Sequence, residues 1–394
     1  MFFIFTPPPP STTDSTSIVK VTVDLREQFQ RHINPSFSDA AGKNRSDLFS
    51  RYRVGLDAKA NAAWSGRIEY QYSHDLYWDQ HSNGAVDASD LSLAYVKYSG
   101  PSVTAIGGRQ KIELGDQRLI GSTEWLNLAR SFDAARAMAG QWDAWAGRLG
   151  VANNKPQAVR VEGLSHSDRD WGTTSLILKH DLGTISGTDI QTLDHLAKVK
   201  VGKTMLFGEG AVQYGSSNGR DQRAWAYHLA VSQELLPKTT FSLENDAASG
   251  GGNATTSHTF DNLYPSNHNL YGLADMQGWK NMNHLGIRVE NRSIPNLTLK
   301  ASAHAFSLRD ASDAWYNAVG AANPKAGGGT LSDPTGLSGR DIGKEFDLEA
   351  AYTVKHAGIF SGGIAFFEPG NFVQNVSGQS NQMIFGYLQY QIRF

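Results

Sequence analysis

Apolar and polar residues alternate at every second position in segments that are spread over the whole chain. The clearest examples are residues 50–60, 66–74, 225–232 and 345–354. A period of two places the apolar side chains on one face of a β-strand and the polar ones on the other. In most of these segments the polar face carries full charges, whereas a soluble sandwich must also gather its apolar faces into a core. The pattern therefore predicts an all-β protein and favours a membrane barrel.

The connections between these segments are short at some junctions and long at others. Links with turn-forming residues occur at Asn61–Ala63, Gly100–Pro101, Ala139–Gln141, Pro237–Lys238, Pro295–Asn296 and His356–Gly358. Long polar, Gly-rich stretches occur at about 75–89, 113–131, 151–170, 246–282, 307–341 and 368–380. Short turns at one end and long loops at the other are typical of outer-membrane barrels. A compact soluble domain rarely tolerates so many long loops.

The strand count and the last strand indicate the size of the barrel. No stretch approaches the ~20 apolar residues of a membrane helix, which excludes helical spans and leaves a barrel open. Candidate strands number about 18, with 16 as the alternative, and the weakest stretch is 181–204. Leu388, Tyr390, Ile392 and Phe394 alternate with polar residues, and a terminal aromatic residue suits a closing strand at the lipid boundary.

We therefore predict an antiparallel up-and-down transmembrane β-barrel of residues 18–394 with a water-filled lumen, as a single domain of the bacterial outer membrane. Residues 1–17, which read TPPPPSTTDSTS after a short apolar start, are predicted to be a disordered tail or an artefact of the recorded start.

Charge and cysteine content exclude several classes of function. The net charge is −2, so the basic excess of a nucleic-acid-binding protein is missing. The chain has 0 Cys, which excludes disulfides, thiolate metal sites and thiol nucleophiles. No Ser and His pair suited to a barrel hydrolase stands out. We expect no enzyme activity, no metal and no cofactor, and we keep a soluble sheet-built lectin or lyase as a remote alternative.

Two segments resemble the signatures of a known family. Residues 107–136 read GGRQKIELGDQRLIGSTEWLNLARSFDAAR, and residues 260–286 read FDNLYPSNHNLYGLADMQGWKNMNHLG. Together with GKEFDLEAAY at 343–352, they resemble the alginate-export family of bacterial outer-membrane porins. The resemblance implies an eighteen-stranded barrel with an electropositive constriction that passes an anionic polyuronate.

Basic residues are dense around the first of these segments and on the strands before it. Because a guanidinium pairs with carboxylates in a planar fork and stays charged, arginine suits a site that concentrates a polyuronate. Carboxylates must balance such a cluster, or the arginines would repel one another. We predict that the constriction is lined by Arg53, Arg67, Arg109, Arg118, Arg130 and Arg136, with Asp133 and Glu69 as counter-charges. The alternative is that these charges only solvate a porin wall.

Aromatic residues also have two interpretations. They can form the girdles at the membrane interfaces, which is the commoner case, or stack on sugar rings inside the lumen. The residues in question are Trp64, Tyr72, Trp78, Trp125, Trp142, Trp145, Trp171 and Tyr390. The aromatic loop 260–282 is expected to fold inward and narrow the mouth.

The leading functional hypothesis is passive diffusion of an anionic polysaccharide, such as an alginate-like polyuronate, or of a smaller anionic solute. The alternative is a general uptake porin for oligosaccharides or organic acids. The expected partners are that solute, outer-membrane lipid and the barrel-assembly machinery, with periplasmic export partners as candidates and no nucleic acid.

Overall fold

The computed structural model describes residues 18–39, 44–77, 88–150, 159–181, 187–268 and 270–394. The predicted tail at 1–17 lies outside these residues. Within them the chain is almost entirely strand and loop, with a single short helix, α1 (Asn371–Ser377). No helix in the described ranges is long and apolar enough to cross a membrane.

Eighteen antiparallel strands form one closed sheet, and a further two-residue strand, β14, lies in a loop. The first nine strands are β1 (Val19–Ile33), β2 (Arg45–Lys59), β3 (Trp64–Tyr77), β4 (Ala88–Ser99), β5 (Thr104–Gln110), β6 (Ser131–Ala139), β7 (Trp142–Gly150), β8 (Val159–Asp168) and β9 (Gly172–Asp181). The others are β10 (Asp189–Val201), β11 (Thr204–Ser217), β12 (Arg220–Leu236), β13 (Thr239–Ala248), β14 (Thr256–Ser257), β15 (Met282–Asn291), β16 (Leu297–Ser307), β17 (Asp341–Val354), β18 (Gly358–Pro369) and β19 (Met383–Arg393).

The barrel closes between its first and last strands. β1 pairs antiparallel with β19, from Asp24 opposite Arg393 to Ile33 opposite Ile384. Every other barrel strand pairs with its neighbour in the chain, β13 with β15 across the small β14. The predicted up-and-down topology and the count of about 18 strands are confirmed, and the weak stretch 181–204 contains β10.

The two faces of the strands differ as the alternation predicts. On β2, Arg51 and Arg53 are 1% and 3% exposed, whereas the adjacent outward residues Tyr52 and Val54 are 38% and 50% exposed. The charged face therefore points into the barrel, and the apolar face points outward, where a membrane barrel meets lipid.

One end of the barrel carries the short turns. Asn61, in the turn between β2 and β3, accepts hydrogen bonds from the backbone N–H groups of Ala63 and Trp64, both at 2.9 Å, as an Asx-turn residue does. The six predicted turns all lie at this end. Two predictions about the long loops are wrong in detail. Residues 151–170 are predicted to be a long loop but contain strand β8. The connections at the long-loop end are not all long, since only residues 218 and 219 separate β11 and β12.

Long loops enter the barrel from the opposite end. Inward-facing Gln213 and Gln222 donate to the carbonyls of Asp261 (2.6 Å) and Thr259 (2.8 Å). Residues of the loops 111–130 and 249–281 form an apolar cluster inside the barrel with inward strand residues, including the fully buried Ile120 and Trp279. The predicted inward fold of loop 260–282 is confirmed. The packed apolar cluster fills part of the lumen.

Candidate functional site

The inward face of β1–β3 carries a group of arginines that we call the basic wall, consisting of Arg26, Arg51, Arg53 and Arg67. The antiparallel register sets Arg26 directly opposite Arg51, and Arg53 opposite Gln71. Residues opposite each other in a sheet have Cβ atoms about 5 Å apart. Four guanidinium groups at this spacing repel one another, so the fold must supply acceptors and counter-charges.

Residues 124–127 of the loop between β5 and β6, which we call the loop tip, supply most of these acceptors. Arg26 Nη1 donates to the carbonyls of Glu124 and Trp125, both at 2.9 Å. Arg51 Nη1 donates to the carbonyls of Glu124 (2.8 Å) and Leu126 (3.1 Å). The basic wall therefore holds the loop tip inside the barrel through its backbone.

The Glu124 carboxylate lies among three cations. Its Oε2 atom is 2.8 Å from Arg53 Nη1 and 3.4 Å from Arg51 Nη2, and its Oε1 atom is 2.5 Å from Lys111 Nζ. Burial by itself would raise the pKa of Glu124, but attraction by Arg53, Lys111 and Arg51 outweighs it and holds the pKa well below the ordinary value. Glu124 therefore stays ionised.

Arg67 and Glu69, two predicted site residues on β3, form a second cluster next to the cluster around Glu124. Arg67 pairs with Glu69 and with Asp57, both at 2.5 Å. Glu69 also lies 3.8 Å from Arg53. The predicted residues Arg53, Arg67 and Glu69 thus meet on one wall of the lumen.

A cavity of about 490 Å³, the turn-side cavity, opens next to this cluster. Five basic and three acidic side chains line it, and the Glu124 carboxylate lies between two of the basic ones, so basic side chains outnumber acidic ones by one. The basic residues are Lys20, Arg53, Arg67, Lys111 and Arg393, and the acidic ones are Asp24, Asp57 and Glu69. Low-dielectric walls around such an excess focus the field and attract anions.

A second cavity of about 370 Å³, the loop-side cavity, lies on the other side of the loop tip. Its lining combines two amides, an imidazole and one guanidinium of β1 and β2 with aromatic side chains, a set that can hydrogen-bond hydroxyl groups and stack on a ring. These residues are Gln28, Gln30, His32, Arg45, Phe49, Trp125 and Phe385. The two cavities share the wall of β1 and β2, and the loop tip lies between them.

Arg118 does not line a cavity but anchors the loop 111–130. It is fully buried, with Nε 2.9 Å from Asp116 and Nη1 3.1 Å from Asp246 on β13. It also donates from Nη1 to Tyr271 Oη at 2.5 Å. Burial by itself would lower the pKa of Arg118, but the surrounding acidic groups, led by Asp116, hold it well above the ordinary value. The expectation that Arg118 faces the solute is wrong.

Arg130 joins the two inward loops. Its Nη1 atom donates to the carbonyls of Gly121 (3.1 Å), Tyr264 (2.5 Å) and Pro265 (2.8 Å). Burial among these neutral acceptors lowers the pKa of Arg130 to about 10. The structure thus places Arg130 at a loop junction and not at a constriction.

Arg109 and Asp133 lie on a different face from the basic wall. Arg109 pairs in register with Ala94, which is opposite the outward-facing Ile68. Its Nε atom is 2.7 Å from Asp133 Oδ1, and its Nη1 atom is 3.2 Å from Asp90 beyond the end of the β4–β5 pairing. Strand parity directs Asp133 outward, and the guanidinium of Arg109 lies between Asp133 and Asp90, which is opposite the inward-facing Gln71. The expectation that both residues line the constriction is corrected, since the structure does not bring either together with Arg53 or Arg67.

Arg136 points inward but belongs to another part of the wall. It forms a two-pronged pair with Asp143 on β7, at 2.9 Å and 2.5 Å, and lies opposite Ile106 and Trp145 in the register. The structure does not bring it together with Arg53 or Arg67.

Arg26, Arg51, Lys111 and Glu124 were missed as site residues. Arg26 begins an alternating inward series with Gln28, Gln30 and His32, so its position was readable from periodicity. Arg51 shares the polar face of β2 with Arg53. Lys111 and Glu124 lie in a loop without periodicity, and only the folded loop brings them to the wall.

The aromatic residues divide between the two interpretations. Trp64, Tyr72, Trp142 and Trp171 are exposed on the outside or in a turn, as a girdle requires, and Tyr390 faces the same way as the exposed Leu388. Trp125 instead lies in the lumen, stacked on His268 at 3.7 Å, and Trp145 is buried on the inward face. Trp78 lies outside the described residues.

A hydrogen-bonded network crosses the opposite wall from β12 to β17. Asp246 binds Nδ1 of His228 (2.7 Å) and of His284 (2.8 Å), and His284 Nε2 lies 2.9 Å from His304 Nδ1. His228, Glu244 and Asp246 offer ligand atoms within 4.8 Å of one another. Arg118 and Arg288 already pair with these carboxylates, and their charges disfavour a metal ion there.

Comparison with known proteins agrees with this geometry. The sequence profile of the family described as alginate export matches residues 18–387. A search of curated protein sequences found no match.

Among solved structures, the chain resembles Pseudomonas aeruginosa OpdQ at 12% identity, with a TM-score of 0.65 over 96% of this chain and 99% of that one. It resembles the P. aeruginosa outer membrane protein OpdK at 12% identity, with a TM-score of 0.63 over 95% and 99%. It also resembles P. aeruginosa OccK2 (OpdF), solved in complex with glucuronate, at 12% identity, with a TM-score of 0.62 over 95% and 96%. The chain belongs to the alginate-export family, and its barrel has the fold of outer-membrane porins.

Proposed function

We propose that this barrel is a passive outer-membrane channel for solutes that carry carboxylates, either a polyuronate or its smaller anionic units. The observation that carries the proposal is the turn-side cavity, where five basic side chains face three acidic ones. A carboxylate entering this cavity gains attraction, and a cation is repelled.

The path follows β1–β3 in this proposal. The loop-side cavity offers amides and aromatic rings for hydroxyl groups and sugar faces, and the turn-side cavity offers guanidinium groups for the carboxylate. A uronate carries both chemistries on one ring. The neighbour OccK2 (OpdF) was solved with glucuronate, which supports a solute of this class.

The two candidate functions differ in the size of the solute. The inward loops and their apolar cluster narrow the lumen, which favours single sugars or short oligomers taken up as by a general porin. Membership of the alginate-export family favours the polymer. Both candidate functions use the same basic wall. They differ in the size of the solute that can pass the inward loops.

Liposome swelling and current block test the proposal together. We expect faster swelling in glucuronate than in glucose at equal osmolarity, because the two sugars differ mainly in the carboxylate. Block of the bilayer current by oligouronates but not by neutral oligosaccharides is also expected. Equal rates for both sugars, with no oligouronate block, would contradict a carboxylate channel and leave an unselective porin.

A further inference from the structure

The loop tip separates two cavities that share one wall. Arg53 and Lys111 line the turn-side cavity, while Trp125 and Leu126 line the loop-side cavity. Glu124 bonds to the first pair of residues and directly precedes the second pair in the chain. The tip therefore lies between the two cavities along β1 and β2.

The contacts of the Glu124 side chain are those that a carboxylate ligand would make. Arg53 and Lys111 each approach one of its oxygens, at 2.8 Å and 2.5 Å, and Arg51 approaches from 3.4 Å. Charge-assisted hydrogen bonds of this kind bind any carboxylate of suitable reach. The Glu124 side chain is 22% exposed and that of Lys111 is 36% exposed, so a solute in the cavity can reach the same cations.

We propose that Arg51, Arg53 and Lys111 form a binding site for one carboxylate of the permeating solute, and that Glu124 occupies this site as an internal competitor. A solute carboxylate exchanges with Glu124, the tip withdraws and the two cavities join. Only ion pairs and hydrogen bonds are exchanged, and the charge inside the site is the same before and after. The inference rests on the proposed function, since it requires a solute with carboxylates. Arg51, Arg53 and Lys111 are then the residues that select this solute.

The anchoring of the loop suits such an exchange. The base of the loop is fixed by buried Ile112 and Ile120 and by the ion pairs of Arg118. The tip is held by polar contacts with the basic wall and by the partly buried Trp125, which packs on His268, Tyr387 and the apolar cluster. Polar contacts can be replaced by those of an anionic solute, whereas buried apolar contacts cannot. The tip can therefore move while the base stays in place.

Specificity follows from the competition. A neutral hexose offers no carboxylate to the three cations and cannot replace Glu124. A uronate can, because its carboxylate restores the pairing that the arginines lose. A channel closed in this way admits anions and rejects neutral sugars of the same size.

The experiment compares two single variants of the same loop. Glu124→Gln removes the internal carboxylate, and Glu113→Gln makes the same charge change at an exposed residue whose carboxylate accepts a hydrogen bond from Ser122. Single-channel current is recorded in planar bilayers while glucuronate or glucose is titrated. A glucuronate bound among the three cations takes the place of chloride there, so its binding is measured as block of the chloride current. For Glu124→Gln we expect a larger conductance without glucuronate and a glucuronate concentration for half-block about tenfold lower than in the wild type. Glu113→Gln should behave as the wild type, and glucose should have the same effect on all three.

A failure of this inference and a failure of the proposed function would give different results. Equal half-block by glucuronate in the wild type and both variants, in an anion-selective channel, overturns the competitor but leaves the proposed function standing. A wild type that does not distinguish glucuronate from glucose overturns the proposed function itself.

Glu124→Asp is a second test that keeps the charge of the tip. It shortens the side chain by one methylene and weakens the pairing. The half-block concentration should shift in the same direction by a smaller factor, and no shift in a correctly folded Glu124→Asp barrel overturns the inference.

Discussion

Arg53 on strand β2 donates from Nη1 to Oε2 of Glu124 at 2.8 Å, across 71 residues of sequence. This contact joins the wall of the barrel to the tip of a loop that enters from the long-loop end. It places a carboxylate of the chain among the cations where an anionic solute is proposed to bind. The closed tip and the anion selectivity therefore depend on the same side chains.

Arg118→Met is expected to destabilise the inward loop strongly. The change removes the fully buried guanidinium that pairs with Asp116 and Asp246. Breaking a buried ion pair from one side costs about 3–5 kcal/mol. Thermal unfolding in detergent, followed by loss of the heat-modifiable gel mobility, measures the loss. Arg109→Met serves as the control, since its more exposed pair with Asp133 contributes about 1 kcal/mol or less. Equal losses in the two variants would contradict the anchoring role of Arg118.

Trp279→Ala is expected to loosen the packing inside the barrel. Trp279 is fully buried, packs against Phe260 with ring centroids 5.5 Å apart and lies 5.9 Å from the Arg118 guanidinium. Truncating a buried tryptophan costs about 3–5 kcal/mol. Because the cluster fills part of the lumen, the conductance should also rise. Trp142→Ala, on the outside, should leave conductance unchanged, and an unchanged conductance in Trp279→Ala would show that the cluster does not restrict the pore.

The pH dependence of the closed tip follows from Glu124. Its pKa is lowered from the ordinary value of 4.5, so its ion pairs contribute full stability above that value and are lost as the pH falls through the lowered pKa. Conductance should stay constant from pH 7 down to about 4.5 and rise only at more acidic pH. Glu124→Gln should lack this acidic rise. A transition of the wild type near pH 6 would contradict the assignment to Glu124.

The barrel was predictable from the alternation of apolar and polar residues, but the positions of the loops inside it were not. The alternation around Arg51, Arg53 and Glu69 fixes which side chains face inward, because a strand has a period of two. The same rule, applied with the correct register, puts Asp133 outward. The density of charged residues along the sequence groups Asp133 with the lumen, because density ignores whether a position on a strand faces inward or outward.

The positions of the loop residues were not predictable from the sequence for a different physical reason. Arg118, Arg130 and Glu124 lie between β5 and β6, where no periodicity indicates direction. Their positions depend on contacts with Asp246, Tyr264 and Arg53, which are distant in sequence. The aromatic content of loop 260–282 correctly indicated an inward fold, since Tyr271 and Trp279 are buried there.

The reversal potential of the wild type and of Arg53→Gln in a potassium chloride gradient tests the anion-selective wall most directly. We expect the wild type to prefer chloride over potassium. Removing one unit charge from the wall of the cavity should lower that preference about fivefold. Arg223→Gln, which makes the same charge change at an exposed residue in register with the outward Tyr214, should match the wild type. A wild type that prefers potassium, or an Arg53→Gln barrel with the wild-type reversal potential, would contradict the account.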